Sequence, residues 1–183
     1  MTLTELQQKK LKKLFDAYDF DSSQSLAKSD FESFIGDLTS KLEYQKGSAD
    51  YQRVESELLE FWNGLEQKAG LSPDGEVTLE AWLSYFDNLL LDENFPSAGI
   101  DYGVNLIFNI IDKDGDDKIS LEEYTQLLKS WKISDSEVSG IYSKLDLNGD
   151  GSLSREELKQ LYHDFYYSND PDAPGNSIHG LVA

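Results

Sequence analysis

Asp146-Leu147-Asn148-Gly149-Asp150-Gly151-Ser152-Leu153-Ser154-Arg155-Glu156-Glu157 is the stretch on which the reading of this chain turns. Oxygen donors fall at its first, third, fifth and last positions as Asp146, Asn148, Asp150 and Glu157, with the Ser152 carbonyl and the Ser154 hydroxyl between them. A hard divalent cation takes about six to eight oxygens. A twelve-residue loop supplies them from these positions, with a backbone carbonyl at the seventh, a water held at the ninth and a two-oxygen carboxylate at the twelfth. Gly151 stands at the sixth position, where the backbone turns sharply. So many residue types at fixed offsets separate this stretch from a merely acidic surface loop.

The same register recurs upstream. Asp112 to Glu123 offers Asp112, Asp114 and Asp116, the Lys118 carbonyl, Ser120 and the closing Glu123. Its turn position is Asp117, so a working but strained loop is expected, because a left-handed residue with a side chain costs about 1–2 kcal/mol. Asp19 to Asp30 offers Asp19, Asp21, Ser23 and the Ser25 carbonyl, with Gln24 at the turn and Ala27 unable to hold a water by its side chain. This loop closes on Asp30. One methylene shorter than Glu, Asp30 should draw its helix inward or bind through one oxygen, which suits Mg²⁺ better than the wider Ca²⁺ shell. In a fourth register, Gly70 to Ala81, neither end carries a ligand, and only Ser72, Asp74 and the Glu76 carbonyl remain. The expectation is three cation loops, for Ca²⁺ with Mg²⁺ as an alternative at the first, and a metal-free second loop bracing the first.

Apolar stripes flank the loops at helical spacing. Leu11, Leu14, Phe15 and Tyr18 precede the first, Val104, Ile107, Phe108 and Ile111 the third, and Val138, Ile141, Tyr142 and Leu145 the fourth. After the loops come Phe31, Phe34, Ile35 and Leu38, then Trp82, Tyr85, Phe86 and Leu89, then Tyr124, Leu127, Leu128 and Trp131, and last Leu158, Leu161, Tyr162 and Phe165. Each set follows i, i+3, i+4, i+7, one face of a helix whose usual purpose is core packing. The predicted fold is all-α, with eight helices in four helix–loop–helix units, the EF-hand arrangement.

The eighth loop positions, Leu26, Val77, Ile119 and Leu153, are apolar, so loops one and two should pair by a short backbone ladder, as should three and four. Extended helices with a break near Gly47-Ser48 are predicted between the first two loops. A second break over Glu93 to Gly99, at Pro96 and Gly99, divides an N-terminal pair, 1–95, from a C-terminal pair with its tail, 96–183. Pro171 and Pro174 stop the last helix.

Composition narrows the function. The chain has 183 residues, 16 Lys and Arg against 35 Asp and Glu, a formal net charge of −19, and 39% apolar residues. A core is affordable at that length, and nucleic acid is excluded as a partner for want of a basic stripe. No cysteine is present, which removes disulfides, thiolate metal sites and cysteine nucleophiles and suits a reducing compartment. The opening Met1 to Lys10 lacks the apolar run of a secretory signal, and no stretch could span a bilayer, so a cytoplasmic monomer is expected. His163 and His179 stand apart and no serine lies in a nucleophile turn, so no enzyme is predicted.

The loops, the decayed second register, Asp30 closing the first, the long segment between loops one and two, and the ending Phe165 to Gly175 resemble the sarcoplasmic calcium-binding protein family, with its prokaryotic relative calerythrin and the invertebrate calexcitins. The resemblance covers essentially the whole chain. It implies two EF-hand pairs packed face to face with the tail between them, Ile178, Leu181 and Val182 as plugs, and a cytosolic Ca²⁺ and Mg²⁺ buffer. Coelenterazine-using photoproteins and luciferin-binding proteins share this architecture. Their light-emitting members place a His and a Trp on the last helix and a Tyr near the end, whereas this chain has Tyr162, Tyr166 and His179. A calexcitin-type sensor is the other alternative. Sensors expose methionine-rich grooves, and the single methionine here is Met1. No protein target is evident.

Overall fold

The computed structural model describes residues 2–69 and 75–181. Eight α-helices lie in chain order: α1 (Glu5–Tyr18), α2 (Lys28–Lys41), α3 (Ala49–Ala69), α4 (Leu79–Leu89), α5 (Ile100–Ile111), α6 (Leu121–Ser130), α7 (Asp135–Leu145) and α8 (Arg155–Tyr167). Four two-residue strands sit in the loops: β1 (Ser25–Leu26), β2 (Val77–Thr78), β3 (Ile119–Ser120) and β4 (Ser152–Leu153). They pair antiparallel as expected, Leu26 opposite Val77 and Ile119 opposite Leu153, and all four of these side chains are buried. A two-stranded ladder is marginal by itself, so the surrounding helices sustain it.

Local chemistry starts the helices. Thr4 caps α1, its hydroxyl accepting from Gln7 N while Gln7 Oε1 accepts from Thr4 N at 2.8 Å, a reciprocal box that satisfies two otherwise orphaned donors. Ser120 and Ser154 cap α6 and α8 in the same way, with Glu123 and Glu157 as the reciprocal partners. Of the helices flanking the first break, only α3, at 21 residues, is extended; α2 ends at Lys41. The second break differs too. Phe95–Gly99 forms a wide helical turn that runs into α5, so the interruption falls ahead of Phe95. Pro96 is tolerated because a first helical turn has no use for its missing N–H.

The two halves share one core. Helices α2 and α6, α3 and α5, and α1 and α8 pack across them, and Trp62, Trp82, Phe31, Phe34 and Phe165 are fully enclosed. Trp82 Nε1 donates to Leu11 O at 3.0 Å, tying α4 to α1, and Trp131 from the C-terminal half stacks on Phe34 from the N-terminal half. Lys10 is buried, its ammonium donating to Asp164 O at 2.9 Å and Ser168 O at 3.0 Å. It caps the carbonyl end of α8, where a cation is favoured.

The tail folds back over α8. Pro174–Ser177 makes a short 3₁₀ turn against that helix, and a Cβ on Gly175 would lie 2.1 Å from Leu161 O, so glycine alone permits the approach. Ile178 is a plug as expected, and its carbonyl accepts from the Tyr124 hydroxyl. Leu181 is not, since it is 41% exposed; the chain has left the core by that point. Val182 lies outside the described residues.

Candidate metal centres

Each of the three predicted loops begins at the last turn of a helix, and its closing acid stands three residues inside the next. In loop four, Glu157 Oε1 accepts from Leu147 N at 3.0 Å and Asn148 N at 3.2 Å, and Oε2 from Ser154 N at 2.9 Å and Ser154 Oγ at 2.7 Å. Asp146 accepts from Gly149 N and Gly151 N, and Asn148 Oδ1 from Asp150 N. Loop three repeats the pattern. Glu123 accepts from Lys113 N at 2.7 Å and Ser120 N at 2.8 Å, and Asp112 from Gly115 N and Asp117 N. The Ser120 and Ser154 hydroxyls also donate to the closing carboxylates, because the ninth loop position is also the helix cap.

Loop one reproduces this bracket with the shorter acid. Asp30 Oδ1 accepts from Phe20 N at 3.0 Å and Asp21 N at 3.2 Å, and Oδ2 from Ala27 N at 2.9 Å. Asp30 is 3% exposed, against 9% for Glu123 and 7% for Glu157, so the shorter acid is enclosed as fully as the two glutamates. Asp19 accepts from Ser23 N and Gln24 N, and Ser23 Oγ donates to Ser25 O at 3.1 Å.

The donor sets of loops one and three fit a hard cation. One carboxylate oxygen each from Asp19, Asp21 and Asp30 lie within 4.8 Å of one another, as do those of Asp112, Asp114 and Asp116. Oxygens bound to one Ca²⁺ at about 2.3–2.6 Å can stand no more than about 5 Å apart, so each cluster spans a single ion. Loop four has the neutral Asn148 where loop three has a third carboxylate, Asp114. Burial, with Glu123 and Asp116 adding to it, holds the Asp112 carboxyl above its ordinary range, a sign that the apo cluster is short of positive charge. Hydrogen bonds from Ser23 and Ser152 hold Asp21 and Asp150 below theirs.

The turn positions are left-handed in every loop, φ being 72° at Gln24, 81° at Gly75, 63° at Asp117 and 87° at Gly151. Position four is left-handed as well, at Ser22, Gly115 and Gly149, a requirement the two glycines signalled and the ligand pattern did not. Asp117 gains a return on its strain, because its carboxylate accepts from Arg155 Nε at 2.5 Å and so joins loop three to α8. Gln24 has no such partner among the described residues. We therefore expect Gln24→Gly to stabilise the metal-free protein by about 1 kcal/mol, read as a melting temperature roughly 2–4 °C higher. An unchanged or lower melting temperature would show the turn to be unstrained.

Two lysines reach the loops from outside. Lys132, on the link between α6 and α7, donates to Phe20 O of loop one at 2.8 Å, and Lys118 of loop three stands 3.6 Å from Asp150 of loop four. Neither was foreseen, since each contact spans separate units. Of the second loop, Gly70, Ser72 and Asp74 lie outside the described residues; Glu76 accepts from Ser25 Oγ at 2.6 Å.

Comparison with known proteins bears on the same loops. A family model described as EF hand matches residues 104–128 and 143–162, the third and fourth units. Calerythrin of Saccharopolyspora erythraea is 28% identical over 138 residues, covering 74% of this chain and 78% of that protein. Sarcoplasmic calcium-binding proteins II, V, VI and VII of Branchiostoma lanceolatum are 26% identical over 186 residues, covering 97% and 98%. Among solved structures, an amphioxus sarcoplasmic calcium-binding protein superposes with a TM-score of 0.72 at 25% identity, covering 99% of this chain and all of that one. The coelenterazine-binding protein of Renilla muelleri, in its calcium-loaded apo form, gives 0.79 at 21% identity, covering 98% of this chain and all of that one, a likeness of fold.

Proposed function

Because the chain is a calcium-binding EF-hand protein of the sarcoplasmic calcium-binding protein and calerythrin-like family, we propose that it is a cytosolic monomer that buffers Ca²⁺ and Mg²⁺ through loops one, three and four. Asp19, Asp21, Ser23, Ser25 and Asp30 hold the first ion. Asp112, Asp114, Asp116, Lys118 and Glu123 hold the second, and Asp146, Asn148, Asp150, Ser152 and Glu157 the third. The observation that carries this reading is that all three closing acids sit in one bracket of backbone N–H donors, with Asp30 clustered beside Asp19 and Asp21 and Asp112 beside Asp114 and Asp116. In the apo state the clustered carboxylates repel one another, and each ion turns that repulsion into chelation.

Buffering is favoured over sensing by the core. A sensor opens on a flexible methionine-rich surface, whereas this interior is built of interlocked rings such as Phe31 against Trp62 and Trp82 against Phe86. Shape-specific packing of this kind resists reopening as a groove. No helix among the described residues is long and apolar enough to cross a membrane. The pairs 1–95 and 96–183 act as one unit in this reading, through the shared core.

Calorimetric titration with Ca²⁺, with and without Mg²⁺ and with a dye for exposed apolar surface, tests the proposal. The expected result is three sites and no dye uptake, with Mg²⁺ competing most at loop one. Glu157→Gln and Glu123→Gln should each remove one Ca²⁺ site, and Asp30→Ala the Mg²⁺-sensitive one. Four equal sites would overturn the assignment, and dye uptake on Ca²⁺ addition would make the protein a sensor.

A further inference from the structure

Away from the loops the tail leaves a cleft against two helices. It lies between α1, α7 and the segment around Pro174–Ser177, with a volume of about 480 Å³, within the ordinary size of small-molecule sites. Leu6, Pro171, Pro174 and Leu181 make its walls aliphatic, and no aromatic ring lines it among the described residues. Lys9 of α1 and Lys144 of α7 line it too, both exposed and neither in an ion pair among the described residues.

Asn176 is the unexplained group. It lines the cleft and is 5% exposed. Its Nδ2 donates to Asp170 O at 2.9 Å and Pro171 O at 3.0 Å. Both partners are carbonyls, which only the NH₂ of an amide can serve, so the side chain's orientation is fixed and its oxygen is left to find a donor elsewhere. Among the described residues Oδ1 is buried with no hydrogen-bond partner. Native proteins rarely keep such an acceptor without a use.

We propose that this cleft takes the C-terminus of a peptide ending in an aliphatic residue, its carboxylate held by Lys9 and Lys144, its last amide N–H donating to Asn176 Oδ1 and its side chain lying against Leu6, Pro174 and Leu181. A terminal residue carries an acid, an N–H and an apolar side chain on one Cα, the three groups that this lining answers. Each group excludes a competitor. A fatty acid has the charge and the chain but no donor for Oδ1, inorganic phosphate has no apolar part, and the interior of a peptide has no carboxylate on its backbone. In a chain of net charge −19 an anion needs local cations, and here two ammonium groups face one lining carboxylate, the exposed Asp172. The neighbouring lysines of α1 are committed elsewhere, Lys10 to the end of α8 and Lys12 to Asp16. None of the cleft residues is a loop ligand, so the site stands apart from ion binding.

The test is a ¹H–¹⁵N NMR titration of the full chain in excess Ca²⁺ with acetylglycylleucine. Expected are saturable shifts at the amides of Leu6, Ala173 and Ser177. Converting the peptide's carboxylate to a primary amide should weaken binding about tenfold, and replacing the leucine N–H by an ester oxygen about fivefold, the net value of one hydrogen bond. Lys9→Gln and Lys144→Gln change exposed side chains and should each cost about two- to fourfold. Lys12→Gln, on the same helix but outside the cleft, should cost nothing. The calcium titration should be the same for all three variants, which separates failure of this proposal from failure of the ion-binding one. Absence of saturable shifts at the cleft, equal binding of the amide-capped or ester peptide, or a loss in Lys12→Gln equal to that in Lys9→Gln would each overturn the proposal.

Discussion

Adding Ca²⁺ to the metal-free protein is expected to raise its melting temperature by roughly 25–45 °C. An ion that binds only the folded state stabilises it by RT ln(1 + [L]/Kd), about 4 kcal/mol per site at a thousandfold excess over Kd. Three sites sum to about 12 kcal/mol, and in a domain of this size each kcal/mol moves the midpoint by roughly 2–4 °C. The effect should be large here because the apo loops hold unneutralised carboxylates, Asp19, Asp21 and Asp30 in one cluster and Asp112, Asp114 and Asp116 in another. Glu157→Gln, which keeps the shape of the closing side chain and removes its charge, should lose about one third of the shift. Scanning calorimetry in EDTA and in millimolar Ca²⁺ measures both. A midpoint unmoved by Ca²⁺ would mean the clusters do not chelate.

The second large effect concerns acid. In the folded protein burial pushes His179 down to about 3 from 6.5, so between those values the unfolded chain binds a proton that the native one refuses. Stability contributed by the neutral imidazole is therefore complete above pH 6.5 and falls as the pH drops toward 3. At about 1.4 kcal/mol per pH unit this reaches roughly 5 kcal/mol at the lower end and about 3 kcal/mol at pH 4. His179→Phe places an apolar ring of similar shape among Trp131, Tyr162 and Phe165. It should match or exceed the parent protein in stability at pH 7, because two unpartnered polar atoms are gone, and flatten the acid limb by the amounts given. Urea unfolding in EDTA from pH 7 to 4 measures the difference, in which the loop carboxylates, common to both proteins, cancel. Parallel profiles for the two would place His179 in contact with water in the native state.

These two effects come from different depths of the chain's information. The proposed calcium loops are written locally, since the candidate ligands Asp146 and Glu157 belong to the same twelve residues. The helices were equally open to inspection, because an i, i+3, i+4, i+7 stripe such as Val138, Ile141, Tyr142 and Leu145 defines its own face. So were the two ladders, through the apolar eighth positions Leu26 and Val77, Ile119 and Leu153. The reading faltered at Pro96, which marks a first turn of helix as readily as a break.

Loop pairing and the helices were thus decided by the amino-acid order itself, because each depends on neighbours a few residues away. What only the tertiary structure decided depends on partners far along the chain. Lys10 finds the carbonyls of Asp164 and Ser168, Lys132 finds Phe20, and His179 is closed in by Trp131, Tyr162 and Phe165 beside a space that no side chain fills. Periodicity says which face of a helix is buried but not against what, and whether a buried lysine or histidine meets a carbonyl, a ring or a void is settled only when the two halves pack.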